Sequence, residues 1–207
     1  MSATPPFIQG SVPPPPPDAT VATVFSRYDW GAIPPRKTLP PLTTPVTKVV
    51  TSWAHVEPCL TVDECKQRVR EIQKKQMEED KLDDIEYNFL IGGDGNIYEG
   101  RGWYNVGPVY PSDLAYANDL NGKSVEFAFL DKIAVKPNDV HVKATSDCVA
   151  YGLVAKFLQE KVQFYLRSPG QIRYLSSYQT NAPGVEEDLE ESSGPQTPSK
   201  RKNAKRG

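Results

Sequence analysis

No run of about 18 apolar residues occurs anywhere in the 207-residue chain, so no helical bilayer span is expected. No charged segment followed by an apolar one opens it, so no secretory leader is expected either. Imidazole and thiol are scarce, with 2 His and 3 Cys. Positive charge is not in excess: 24 Lys and Arg meet 26 Asp and Glu, a net charge of −2. Nor do the ends hide a basic middle. Removing the five bases of the tail leaves 19 between residues 27 and 182, and removing Asp18 and the five acids of the tail leaves 20. A domain so balanced is unsuited to binding a duplex by phosphate neutralisation, and no nucleic-acid partner is expected.

Proline is abundant where core is missing. Twelve of the 20 prolines lie in the first 45 residues, and Pro13 to Pro17 form an unbroken run. Such a run favours polyproline II and buries little, so residues 1–26 are expected to be a disordered spacer or a strip for a proline-reading partner. Residues 183–207 are expected to be equally unfolded. There an acidic block, Glu186-Glu187-Asp188 with Glu190-Glu191, precedes Lys200-Arg201-Lys202 and Lys205-Arg206. The basic cluster is a solvated tail or a nuclear-import address.

Residues 27–182 carry the one domain, with alternating strand and helix signals. Val46 to Val50 is a short β-branched run. Thr61-Val62-Asp63-Glu64 matches a capping box, and Val62, Cys65, Val69 and Ile72 recur behind it at helical steps. Ile85, Tyr87, Phe89 and Ile91 alternate with polar neighbours as in a strand, and Asp94-Gly95 turns the chain toward Ile97-Tyr98. Val125, Phe127 and Phe129 alternate likewise. Val142, Val149, Leu153 and Phe157 mark a second long helix, after which Tyr165-Leu166 is strand-like or irregular. The expected fold is mixed α/β: a central, mostly antiparallel or mixed sheet flanked by helices.

The stretch from Asp84 to Trp103, DIEYNFLIGGDGNIYEGRGW, closely resembles the signature of peptidoglycan recognition proteins, which share the fold of zinc-dependent N-acetylmuramoyl-L-alanine amidases. Supporting matches run from Trp30-Gly31-Ala32 to Ser168-Pro169-Gly170 with Tyr174. The resemblance, to an insect-like long-type member, implies a disulfide between Cys59 and Cys65; Cys148, beside the apolar stripe of the second helix, is expected to stay a buried free thiol.

An amidase of that family holds zinc by two His and one Cys, leaving one position for an acidified water. By the resemblance, the first ligand position holds Thr51, in Thr51-Ser52-Trp53. The Gly-His-Arg motif of the second is missing, because Leu166-Arg167 runs straight into Ser168-Pro169-Gly170, and Ser168 stands for the Cys. A neutral hydroxyl is a poor zinc ligand beside thiolate or imidazole. The resemblance therefore implies no cofactor, no metal and no enzyme activity. His55 and His141 are expected on the surface or in a polar pocket.

Binding is the function left. Tyr87 matches the family's catalytic tyrosine and becomes a candidate contact for sugar or peptide. Arg101, Trp103, Tyr104, Asn105 and Lys123 complete the expected ligand-binding set, although Tyr104-Asn105 matches neither stem-selecting pair of the family. The expected function is that of a non-catalytic recognition protein modulating innate immune signalling, with weak or lost peptidoglycan binding. Its expected partners are bacterial peptidoglycan and immune signalling proteins or other recognition-family receptors. An active amidase is the alternative. A disulfide favours an oxidising compartment, yet with no leader or span the chain as it stands is expected in the cytoplasm, or outside the cell or at a membrane through another isoform.

Overall fold

The structure is a computed structural model that describes residues 21–132 and 137–179. The proline run, the acidic block and the basic cluster lie outside these residues. Ten elements follow in chain order: β1 (Val24–Phe25), β2 (Val46–Trp53), α1 (Val62–Glu78), β3 (Phe89–Ile91), β4 (Ile97–Glu99), α2 (Ala117–Leu120), β5 (Ser124–Phe129), α3 (Asp139–Val154), β6 (Leu158–Ser168) and β7 (Gln171–Gln179). The strands form one seven-stranded sheet in the order β1-β4-β3-β5-β2-β6-β7.

The sheet is mixed, as expected, but its balance is parallel rather than antiparallel. β1 with β4, β3 with β5, β5 with β2 and β2 with β6 are parallel, whereas only β3–β4 and β6–β7 are antiparallel hairpins. The cause is the pair of long helices, α1 after β2 and α3 after β5, which carry the chain across the sheet between parallel strands. With helices on both faces the central strands lose the polar half of their alternation. β5 is buried at all six positions for this reason.

The period-two alternation sorts the core into two layers. Val49, Phe89, Ile91, Val125, Phe127 and Phe129 pack toward Ala144, Cys148 and Val149 of α3. Leu90, Tyr98, Ala128 and Leu130 face the other way, onto Cys65, Val69 and Ile72 of α1. Helix α1 starts where the capping box places it: Thr61 Oγ1 accepts from Glu64 N, and the Glu64 carboxylate accepts from Thr61 N. The Cys59–Cys65 disulfide is present, closing a sequence separation of 6, and Cys148 is a buried free thiol.

Several expected bounds move. Residues 21–26 belong to the folded part, because Val24–Phe25 pairs with β4, the Phe25 ring stacks on Tyr98 at 5.3 Å, and Ala22 N donates to Asp147. The strand expected from Ile85 begins only at Phe89, since loop contacts take up the preceding backbone: Gly100 N and Gly102 N donate to Asn88 O, and Arg101 N donates to Tyr87 O. Gly100 permits this approach; a Cβ there would lie 2.2 Å from the Tyr87 carbonyl oxygen. Helix α3 stops before Phe157, which stacks on Trp103 instead, and Val142 faces outward. Tyr165-Leu166 lies inside the eleven-residue β6, which returns through Pro169-Gly170 into β7. Gly170, at φ 70°, supplies the left-handed residue of that turn.

Candidate functional site

At the ends of β2 and β6 a cavity of about 230 Å³ opens on the α1 side of the sheet. Ser52 and Trp53 come from β2, Tyr87 from the loop before β3, and Arg167 and Ser168 from the β6–β7 hairpin. His55 sits at the rim, exposed and at φ 56°, a left-handed conformation uncommon for a residue with a side chain.

Beneath the cavity lies a carboxylate with no solvent exposure, that of Glu126. Its Oε1 accepts from the Ser52 hydroxyl, from Arg167 Nε at 3.0 Å and from Arg167 Nη2 at 2.6 Å. Its Oε2 accepts from the Tyr110 hydroxyl, and its backbone N–H donates to Asn88 Oδ1. A buried carboxylate requires such saturation, because an unpaired charge in the interior is expensive. The Arg167 guanidinium lies between two rings, 5.7 Å from Tyr87 and 5.6 Å from Tyr110, and 3.6 Å from a Glu86 oxygen.

The cluster sets protonation states. Burial works against the Arg167 charge, but Glu126 and Glu86 overcome it and hold its pKa above the ordinary value, so it stays a cation. Burial, then the Glu86 charge, pushes the Tyr87 phenol well up, so its hydroxyl keeps its proton. Burial pushes Tyr110 up too, with Glu126 acting the same way. Burial also raises Glu86, against the pull of Arg167.

Of the six residues expected to bind ligand, only Tyr87 lines this cavity. Arg101 ties its loop to the segment before β3, donating from Nε to Ile85 O at 2.8 Å and from Nη1 to Val106 O at 2.9 Å. Asn105 donates from Nδ2 to Arg101 O and forms a β-bridge with Pro41. Lys123 is exposed, and its Nζ donates to Asn118 O at 3.3 Å. Trp103 and Tyr104 lie across the sheet, on the α3 side, at a second cavity of about 450 Å³. There Trp103 is buried against Phe89 and Phe157, and Tyr104 is 64% exposed. The residues that build the first site, Glu126, Arg167, Ser52 and Tyr110, were not singled out by the sequence. One signal was present: Val125-Glu126-Phe127 and Leu166-Arg167 each set a charge into an apolar strand, and two such charges of opposite sign call for one another.

The donors present do not fit a zinc ion. Thr51 is absent from the cavity lining, and its hydroxyl donates to Tyr165 O at 3.3 Å. The Ser52 hydroxyl is taken by Glu126, and Ser168 offers a neutral hydroxyl where a thiolate would be needed. His141, expected at the surface or in a polar pocket, is buried in the α3 layer. Its ring stacks on Phe129 at 4.6 Å, and its Nε2 has no hydrogen-bond partner.

A family model described as N-acetylmuramoyl-L-alanine amidase matches residues 43–179. Peptidoglycan-recognition protein LC of Drosophila melanogaster is 38% identical over 122 residues, 58% of this chain. The chain belongs to the peptidoglycan recognition protein family. The N-acetylmuramoyl-L-alanine amidase of Mus musculus is 30% identical over 129 residues, 61% of this chain and 23% of that protein. Among solved structures, the ectodomain complex of the recognition proteins LCa and LCx bound to tracheal cytotoxin matches with a TM-score of 0.63 and 30% identity, covering 70% of this chain and 83% of that one. The chain spans 22%, 54% and 57% of the length of three curated recognition-protein relatives. Catalytic and receptor proteins both stand among the relatives of this recognition-family chain, so its own chemistry rests on the cavity around Arg167.

Proposed function

We propose that this chain is a non-catalytic peptidoglycan recognition protein that modulates innate immune signalling, with weak affinity for peptidoglycan and with recognition-family receptors or other signalling proteins as partners. One observation carries the reading. The hydroxyl groups at Thr51 and Ser52 are spent on Tyr165 and Glu126, and the cation in the cavity is Arg167, tied to Glu126 by two hydrogen bonds. Hydrolysis in this fold needs an open metal position carrying an acidified water. A guanidinium already paired to a carboxylate supplies neither a Lewis acid with a free site nor a base for water. It does supply fixed hydrogen-bond donors. A relative bound to tracheal cytotoxin together with a second recognition protein supports both kinds of partner.

The test uses the purified chain, zinc and insoluble peptidoglycan of the diaminopimelate and lysine types. No stem peptide is released, and only a minority of the protein sediments with the polymer. Release of stem peptide by a protein that carries about one zinc per chain, as one catalytic site would hold, overturns the reading.

A further inference from the structure

The cavity holds a built cation whose use the family's chemistry does not assign. Arg167 spends one edge of its guanidinium, Nε and Nη2, on a single oxygen of Glu126. Nη1 has no hydrogen bond among the described residues, nor is it among the buried atoms left without a partner. It therefore reaches open space, and Arg167 lines the cavity. The rings of Tyr87 and Tyr110 lie 5.7 and 5.6 Å from the guanidinium carbon and limit its movement. A donor held on three sides before a ligand arrives loses little conformational entropy on binding.

We propose that Arg167 is the specificity-determining residue of this cavity: its Nη1–H takes a neutral amide carbonyl of a muropeptide. This deepens the non-catalytic reading and rests on it. Charge chooses the carbonyl over a carboxylate. Glu126 and Glu86 both stand against the one guanidinium, at 2.6 Å and 3.6 Å, so the cluster has no positive field to spare for an anion. Hydrogen-bonding capacity remains, because each N–H is a separate donor. A carbonyl oxygen needs donors and no net charge. The same residues explain why the site binds without cutting. A metal leaves a coordination position open to water beside the carbonyl, whereas Arg167 has no such position, and the Ser52 hydroxyl in the cavity wall is held by Glu126.

The experiment is a titration of 15N-labelled full chain with N-acetylmuramoyl-L-alanyl-D-isoglutamine, and with the same probe amidated at its free carboxylate, following the arginine side-chain resonances. Both probes move the Arg167 signals, with equal affinity. Arg167→Lys keeps the charge opposite Glu126 but loses the fork, and weakens binding roughly tenfold, as loss of one charge-assisted hydrogen bond would. Should that variant fold poorly, Arg167→Met with Glu126→Gln removes the buried pair together and leaves only Glu86, whose side chain is 23% exposed to water, without its cation. This pair is expected to fold and to lose at least as much affinity. Lysine binding as well as arginine, or Arg167 signals that stay still while the probe binds, overturns the assignment. Binding that vanishes for the amidated probe overturns the carbonyl in favour of a carboxylate. A wild type that binds neither probe overturns the inference, while the non-catalytic reading is judged separately by stem-peptide release.

Discussion

The cavity under Arg167 and the cavity over α3 share one sheet and differ in what braces their walls. On the α1 side the bracing is polar: one carboxylate gathers Ser52, Tyr110 and Arg167 from three different segments. On the α3 side it is apolar: Trp103 lies flat on Phe157 at 5.2 Å and tilts against Phe89 at 4.9 Å, with Cys148 behind them. Dispersion and apolar burial tolerate small displacements, because they depend on area and not direction. A hydrogen-bonded ion pair does not, since each partner removed leaves another buried and unsatisfied. The two faces should therefore fail in different ways when a side chain is removed.

The largest effect is expected on the apolar face. Trp103→Ala empties the space between Phe89, Phe127 and Phe157 and should cost about 4 kcal/mol, within the usual range for a buried Trp. Urea denaturation measures it. A cost below about 1 kcal/mol would mean that Trp103 is not part of the core. Muropeptide affinity, read in the folded variant, should stay unchanged, which separates this residue from the site it was expected to join.

On the polar face, Glu126→Ala should cost about 3 kcal/mol, because it strands the Arg167 guanidinium in a half-closed cavity. The discriminating measurement is the cycle of Glu126→Gln, Arg167→Met and the two together, in which the Gln oxygen still accepts from Ser52 or Tyr110 and the pair should lose less than the two single variants summed. Additive losses in the pair would show that the two charges do not depend on each other. The apolar face offers no such rescue, since no second deletion refills a cavity.

What could be read in advance divides along the same line. The capping box at Thr61, the alternation around Phe127, the Cys59–Cys65 disulfide and the family signature up to Trp103 each depend on local pattern or on a long match, and each is present in the fold. The candidate site was less legible. Arg101 and Asn105 carry the right chemistry for a ligand, yet Arg101 is consumed by the carbonyls of Ile85 and Val106 and Asn105 by that of Arg101. Trp103 carries the right surface, yet the loop turns it to the far side of the sheet. Glu126 and Arg167 are 41 residues apart in the chain and meet only because β5 and β6 both pair with β2. Parallel pairing brings them together, and strand order was not written in any local pattern.

Next in size is the disulfide, which belongs to the α1 layer. Cys59 and Cys65 close so short a loop that the chain-entropy account gives only roughly 2 kcal/mol. Reduction without denaturant should lower the unfolding midpoint and leave the protein folded, because Cys65 stays buried behind the capping box of α1. Cys148 should resist alkylation in the same experiment. Burial, with Asp147 adding to it, raises that thiol far above its ordinary range, and the side chain is enclosed on the α3 side. Labelling of Cys148 as fast as the reduced pair would show that the α3 layer opens freely.

The smallest expected effect sharpens the contrast through pH. His141 is 1% exposed in the apolar layer, stacked on Phe129, and its Nε2 has no partner. Burial lowers its pKa from the ordinary 6.5, and the Asp131 charge offsets only part of that. A histidine whose folded pKa is depressed binds its proton more readily when unfolded, so its contribution is fully present above about pH 6.5 and is lost as pH falls below that value. The wild type should lose stability on its acid side, and His141→Phe, which keeps the ring on Phe129, should flatten that limb while leaving stability near pH 8 almost unchanged. Denaturation midpoints at pH 8, 7, 6 and 5.5 for both proteins decide the matter. Parallel curves would mean that His141 meets water in the folded state.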